Sequence, residues 1–158
     1  MTSAELQALL QAVSEGRETP GTAFERLRRL PFEDLGFAKV DHHRSLRKGH
    51  PEVIYGAGKT PEQIVAIATA MRDHGGNVLG TRCGPEVREP LLAAHPDAQW
   101  HDSARAFTII QDEAPPLAGY VAVVCAGTSD LPVAEEACVT LEALGSRTER
   151  VYDVGVAG

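Results

Sequence analysis

The chain has 158 residues, 43% of them hydrophobic, and a net charge of −7 from 15 Lys+Arg and 22 Asp+Glu. That describes one folded unit, or one plus part of a second, and excludes a disordered or collagen-like chain. The acidic balance and the scarcity of aromatics (four Phe, three Tyr, one Trp) exclude a general nucleic-acid binder, but not a local basic pocket for a small anion.

In chain order, Leu6, Leu9, Leu10 and Val13 form the apolar stripe of a helix over residues 2–14, with Thr2 and Glu5 at capping-box spacing and Gly16 at its end. Thr19-Pro20 opens a second helix with Ala23, Phe24, Leu27 and Leu30 apolar, stopped by Pro31. The pair reads as a helical arm, an adaptor or a simple hairpin. Residues 32–50 are polar and predict irregular structure. Glu52–Tyr55 predicts a strand, and Thr60-Pro61-Glu62-Gln63 starts a helix with a capping box and proline at its first position. Ile64, Ile67, Ala68 and Met71 supply its buried face, and Gly75-Gly76 ends it. Asn77–Thr81 predicts a strand, 84–95 a helix, and 98–111 one or two strands around Asp102-Ser103. Pro115-Pro116 marks the best internal boundary, since a proline pair continues neither a helix nor a central strand. Beyond it, the β-branched run Tyr120–Cys125 predicts a strand buried on both faces. Residues 126–130 predict a turn, and Pro132–Leu144 a helix with Val133, Ala137, Leu141 and Leu144 inward; Thr148–Val156 returns as a strand. The order is that of an α/β protein. The expected division is a helical arm at 1–31, an N-terminal α/β domain at 32–114, and a second α/β unit at 117–158.

Three cysteines, Cys83, Cys125 and Cys138, stand far apart without a C-x-x-C pair, which argues against a disulfide framework and a structural zinc site. Cys125 and Cys138 fall on core positions, whereas Cys83 follows Arg82 in an electropositive loop where a low-pKa thiol is conceivable. The N-terminus does not have the pattern of a secretory signal, and no apolar run approaches the length of a membrane span. The expected location is the cytoplasm.

Three polar groups carry chemistry. Gly127-Thr128-Ser129-Asp130 lies between a strand and a helix, where free N–H groups and two hydroxyls make an anion cradle. Asp130 there either orients a ligand hydroxyl, holds magnesium or shuttles a proton, or else Ser129 or Asp130 merely caps the helix. Asp41-His42-His43-Arg44, with Arg47-Lys48, offers metal ligands and phosphate-binding guanidinium groups, or a solvated basic patch. Thr81-Arg82 follows a strand at the same carboxyl-end position as the 127–130 loop. Gly58-Lys59-Thr60 does not complete a P-loop, because Val53 stands where the first glycine is needed; Lys59 remains free to meet an anion.

Taken together, GTSDLPVAEEA, ALGSRTERVYDVGVAG, VDHHRSLRKGHPEVIYGAGKTPEQI and NVLGTR resemble the LarB family, from about Phe32 to Gly158. The last unit is also similar to AIR carboxylase, the flavodoxin-like purine-pathway (PurE-like) enzyme, whose phosphate loop G-S-x-S-D is matched here by Ser129 and Asp130. The resemblance implies a carboxylase that begins synthesis of the nickel-pincer nucleotide cofactor. Its substrates are CO2 and nicotinic acid adenine dinucleotide. It carboxylates the pyridinium ring and hydrolyses the phosphoanhydride, releasing AMP and leaving pyridinium-3,5-biscarboxylic acid mononucleotide. A thiolate added to the ring makes it electron-rich enough to attack CO2, and magnesium neutralises the diphosphate.

The family's thiol and its His-Arg pair follow GVAG. The chain is therefore expected to be the amino-terminal two-thirds of such an enzyme, catalytically incomplete by itself, with none of its three cysteines the nucleophile. Expected substrate- and phosphate-binding residues are Asp41, His42, Arg44, Arg47, Lys59, Thr81, Arg82, Gly127, Thr128 and Ser129, with Asp130 the catalytic candidate and the metal ligands unassigned. The expected fold is a helical arm, a small α/β domain and the first half of a flavodoxin-like parallel-sheet domain, in a homo-oligomer with no membrane or nucleic-acid partner. The alternatives are a purine-pathway AIR carboxylase or mutase, which lacks the DHHR and GKTPEQ unit, and a non-catalytic nucleotide-binding fragment.

Overall fold

The computed structural model describes residues 3–28, 33–42, 44, 50–112 and 117–155. Thr2, Leu30, Pro31, His43, Arg47, Lys48, the Pro115-Pro116 boundary and Val156 lie outside them. The fold is α/β.

Helices α1 (Ser3–Ser14) and α2 (Pro20–Arg28) pack on each other, with Gly16 turning the chain between them at a φ of 72°. Their seam is narrower than the stripe predicted. Leu9, Ala12 and Ala23 are buried, while Leu10 and Phe24 are exposed, because two short helices offer each other only one small-residue contact line. The predicted irregular stretch instead opens with a two-stranded antiparallel hairpin, β1 (Glu33–Asp34) and β2 (Lys39–Val40). Its turn is closed by Gly36 N–H donating to Asp34 Oδ1.

The principal sheet contains β3 (Val53–Tyr55), β4 (Val78–Thr81), β5 (Gln99–His101) and β6 (Ala106–Ile109) in the order β3-β4-β6-β5. β3 runs parallel to β4; β6 is antiparallel to both β4 and β5. Between β3 and β4 the chain crosses over as α3 (Pro61–Asp73). The predicted capping box is present: Gln63 N–H donates to Thr60 Oγ1, and Thr60 N–H donates to Gln63 Oε1. Ile64, Ile67, Ala68 and Met71 are buried as their spacing predicted. The predicted 84–95 helix resolves into one 3-10 turn at Pro85–Val87 and then α4 (Arg88–Ala94). Phe107, Ile64, Leu91, Ile109, Val78 and Val87 make the fully buried centre, between the sheet and α3 and α4.

A second, two-stranded parallel sheet pairs β7 (Val121–Val124) with β8 (Thr148–Val151), joined through α5 (Leu131–Ala143). Two expectations fail here. β7 is not buried on both faces, since Val121 and Val124 are exposed; among the described residues one neighbouring strand and one helix cannot cover it. The inward face of α5 is Ala134, Cys138 and Val139 rather than Val133, Ala137, Leu141 and Leu144. Val139 turns toward Leu79 and Ala106 of the first sheet and Ala104 of the turn before β6, which rotates the helix and leaves Val133 exposed. A polar strap fixes α5 to β8: Arg150 donates to Glu135 and Glu142, and Tyr152 Oη donates to Glu135 Oε1.

Candidate functional site

β3 and β4 end level, Tyr55 opposite Thr81, so the loops that follow them emerge side by side. Gly56 N–H donates to Thr81 O at 2.8 Å, and a Cβ on Gly56 would lie 2.8 Å from Cys83 Sγ. Only glycine admits this close approach. Lys59 turns back so that its ammonium donates to Tyr55 O at 2.8 Å. Arg82 adopts a left-handed φ of 53°, and its Nε lies 2.5 Å from Glu136 Oε2 on α5. Lys59, Thr81 and Arg82 thus gather at the carboxyl edge of the principal sheet, with Thr81 buried and Arg82 half-exposed.

Cys83 does not behave as an electropositive-loop thiol. It is fully buried, and burial, with Glu86 nearby, pushes it up to about 11. Cys138 is buried against the Tyr152 hydroxyl, and Cys125 is half-buried beyond the end of β7 rather than in the core.

The loop after β7 forms one 3-10 turn, Thr128–Asp130, that leads into α5. Gly127 N–H donates to Asp130 Oδ2 at 3.4 Å, so Asp130 does partly cap this turn; Thr128, Ser129 and Asp130 are all exposed. Asp130 also borders an open groove of about 500 Å³, otherwise lined by apolar residues including Val123, Cys125, Val133 and Ala137. Glu136 lies six residues past Asp130, about 9 Å along the helix axis at 1.5 Å per residue. The Arg82–Glu136 pair therefore connects the carboxyl edge of the first sheet to the helix that begins at the 127–130 loop.

Asp41 and His42 stand elsewhere. They border a small pocket with Pro51, Glu52, His74 and Asn77, at the amino ends of β3 and β4. Asp41 N–H donates to Glu52 Oε2, and Arg44 is exposed nearby. Lys59 precedes α3 and His74 follows it, so the two groups are separated by a helix of about 20 Å. A groove of about 290 Å³ runs between them along β3, bounded by Lys39, Tyr55, Lys59 and Ile67, and it shares Val40, Glu52 and Met71 with the His42 pocket. The His42 ring stacks on His74 with centroids 3.4 Å apart. Burial, reinforced by His74, holds the His42 imidazole below the usual histidine range.

Sequence reasoning missed Glu136, Glu33 and His74. Glu136 belongs to an acidic pair in α5, and no motif distinguishes it from a solvated charge. His74 closes α3, remote in sequence from His42; only the fold brings them together.

These features define an α/β protein whose polar loops collect at strand ends. Residues 32–112, just over half of the chain, match the model of the LarB/PurE-like N-terminal domain, and the chain belongs to that family. It is also 35% identical over 127 residues to an uncharacterized protein of Methanocaldococcus jannaschii, covering 76% of this chain and 49% of that protein. The chain thus spans about half the length of this relative. Among the described residues, no helix is long and apolar enough to cross a membrane.

Proposed function

We propose that the chain is the amino-terminal part of a LarB-like enzyme that carboxylates the pyridinium ring of nicotinic acid adenine dinucleotide and hydrolyses its phosphoanhydride. The family is of a carboxylase type, and this reading adds the particular reaction. Residues 1–31 form the helical arm, 32–114 the N-terminal α/β domain and 117–158 the first part of an AIR-carboxylase-like domain, in a cytoplasmic homo-oligomer.

The supporting observation is the Arg82–Glu136 pair. It couples a cationic strand-end loop to the helix entered through the 3-10 turn that carries Ser129 and Asp130. A diphosphate bridging the two loops would meet Arg82 and Lys59 on one side, and the hydroxyls and backbone N–H groups of Thr128 and Ser129 on the other. Glu136 then holds the guanidinium in place until the anion arrives. Asp41, His42 and Arg44 take no phosphate in this reading.

Magnesium, which the resemblance implies, suits Asp130: the ion commonly takes one or two carboxylates and completes its shell with phosphate oxygens and water. There it would neutralise charge on the diphosphate. The ring-activating thiol is none of the three cysteines here. Cys83 and Cys138 are buried, and Cys125 lies in an apolar groove.

Calorimetric titration with nicotinic acid adenine dinucleotide tests the reading. Binding is expected, and Arg82→Ala should weaken it about 10- to 100-fold, the worth of a charged hydrogen bond. Unchanged affinity in Arg82→Ala, or binding of aminoimidazole ribonucleotide in place of the dinucleotide, overturns it.

A further inference from the structure

We propose that Glu33, His42 and His74 form a binding site for a divalent late first-row transition-metal ion, with zinc the reference case. The three residues come from separate elements: β1, the residue pair after β2, and the end of α3. Their ligating atoms all lie within 4.8 Å of one another.

The spacing is the first argument. Glu33 Oε2 is 3.4 Å from His42 Nε2 and 3.7 Å from His74 Nδ1. A good N–H···O bond is about 2.9 Å long. A tetrahedral ion with bonds of about 2.1 Å separates its ligands by about 3.4 Å. The spacing that makes a long hydrogen bond between Glu33 and His42 is thus also that of two ligands on one ion. The donor set is the second argument. Two imidazole nitrogens and one carboxylate oxygen suit zinc, cobalt or nickel, whereas magnesium and calcium take oxygen.

The third consideration is ring orientation. The two rings lie 3.4 Å apart and 12° from parallel. An imidazole ligates through the lone pair in its own ring plane, so the partly exposed His74 ring must turn out of the stack for both nitrogens to reach one ion. His74 Nδ1 also lies 3.1 Å from Ala70 O, so a proton carried there must leave to solvent when the metal binds. Beside the rings is a pocket of about 50 Å³, edged by Asp41, Glu52 and Asn77. A water needs about 10–15 Å³, so there is room for a solvent molecule as fourth ligand. Metal at this point clamps the β1–β2 hairpin to the end of α3.

The test is zinc titration of the untagged chain against a chromophoric chelator, with cobalt as a spectroscopic substitute. One equivalent is expected, with a tetrahedral cobalt spectrum. Glu33→Gln and His74→Gln should each weaken uptake by about tenfold or more. Both side chains are partly exposed, so folded variants are expected, and circular dichroism checks this. Absence of stoichiometric uptake, uptake insensitive to both substitutions, or an octahedral cobalt spectrum overturns the proposal. None of these readouts depends on the dinucleotide.

Discussion

Replacing Gly80 by alanine probes the junction on which the carboxyl edge rests. Gly80 sits in β4 directly opposite Phe107 of β6. A Cβ there would fall 2.1 Å from Phe107 Cε1, 2.6 Å from Cζ and 2.7 Å from Cδ1. Carbon atoms in contact sit about 3.5–4.0 Å apart, so the methyl group overlaps the ring face by more than an ångström. Phe107 is fully buried at the centre of the core and has nowhere to swing. Either the ring leaves its rotamer or β4 and β6 separate and lose ladder hydrogen bonds. Overpacking of this kind costs about 1–3 kcal/mol, and the depth of overlap points to the upper end. For a chain of this size, about 3 kcal/mol lowers Tm by about 6–12 °C. Urea unfolding followed by circular dichroism measures the loss. Adding Phe107→Leu to Gly80→Ala should recover part of it, with a coupling energy of about 1 kcal/mol or more. If Gly80→Ala stays within about 0.5 kcal/mol of the parent, the packing argument is wrong. Thr81 and Arg82 follow immediately, so the same variant should also disturb ligand binding at that edge.

Thr60→Ala removes the acceptor for Gln63 N–H and should cost about 1 kcal/mol, read from the same urea curves. The Cys83 thiol, buried and raised to about 11, should resist iodoacetamide at pH 8 in the folded chain and react on unfolding; rapid native-state labelling, traced by peptide mapping, contradicts that burial. His95 is 4% exposed and receives Arg72 Nη1 at 3.0 Å on its Nδ1. Burial, then Arg72, lowers its pKa, so the unfolded chain takes up the proton more readily than the folded one. Its contribution to stability is complete above the ordinary histidine value of about 6.5 and is lost as pH falls through the folded pKa. Unfolding free energy measured from pH 7.5 to 5 should therefore fall, and less steeply in His95→Gln.

Helix α3 and its flanking strands were legible because their signals are local. Capping box, proline and apolar spacing all lie within Thr60–Met71, and each reports on its own turn of helix. Packing against partners was not legible. The run Val121–Val124 reads as a doubly buried strand, yet how much of it is covered depends on neighbours that its own residues do not specify. The orientation of α5 failed for a related reason: Val139 meets Leu79 and Ala106, a contact between distant segments. Cys83 was misread because adjacency to Arg82 in sequence says nothing about direction; the thiol points inward while the guanidinium reaches Glu136. The loop at Thr81 and Arg82 was predicted to follow a strand's carboxyl end and does, and Lys59 joins it there. Their meeting with each other follows from the parallel register of β3 and β4, which no single motif encodes.

The exposed apolar strand β7 has a consequence for what stability means in this molecule. The four-stranded sheet packs a fully buried centre, whereas the β7–β8 pair leaves Val121 and Val124 exposed. Two-stranded sheets are marginal by themselves, and opening energies within one protein range from near zero to the global value. The amides of β7 and β8 should therefore exchange with solvent through partial openings, while those of β4 and β6 await complete unfolding. The chain would then have two unfolding free energies, coupled among the described residues through the seam around Val139 and the ion pair at Arg82.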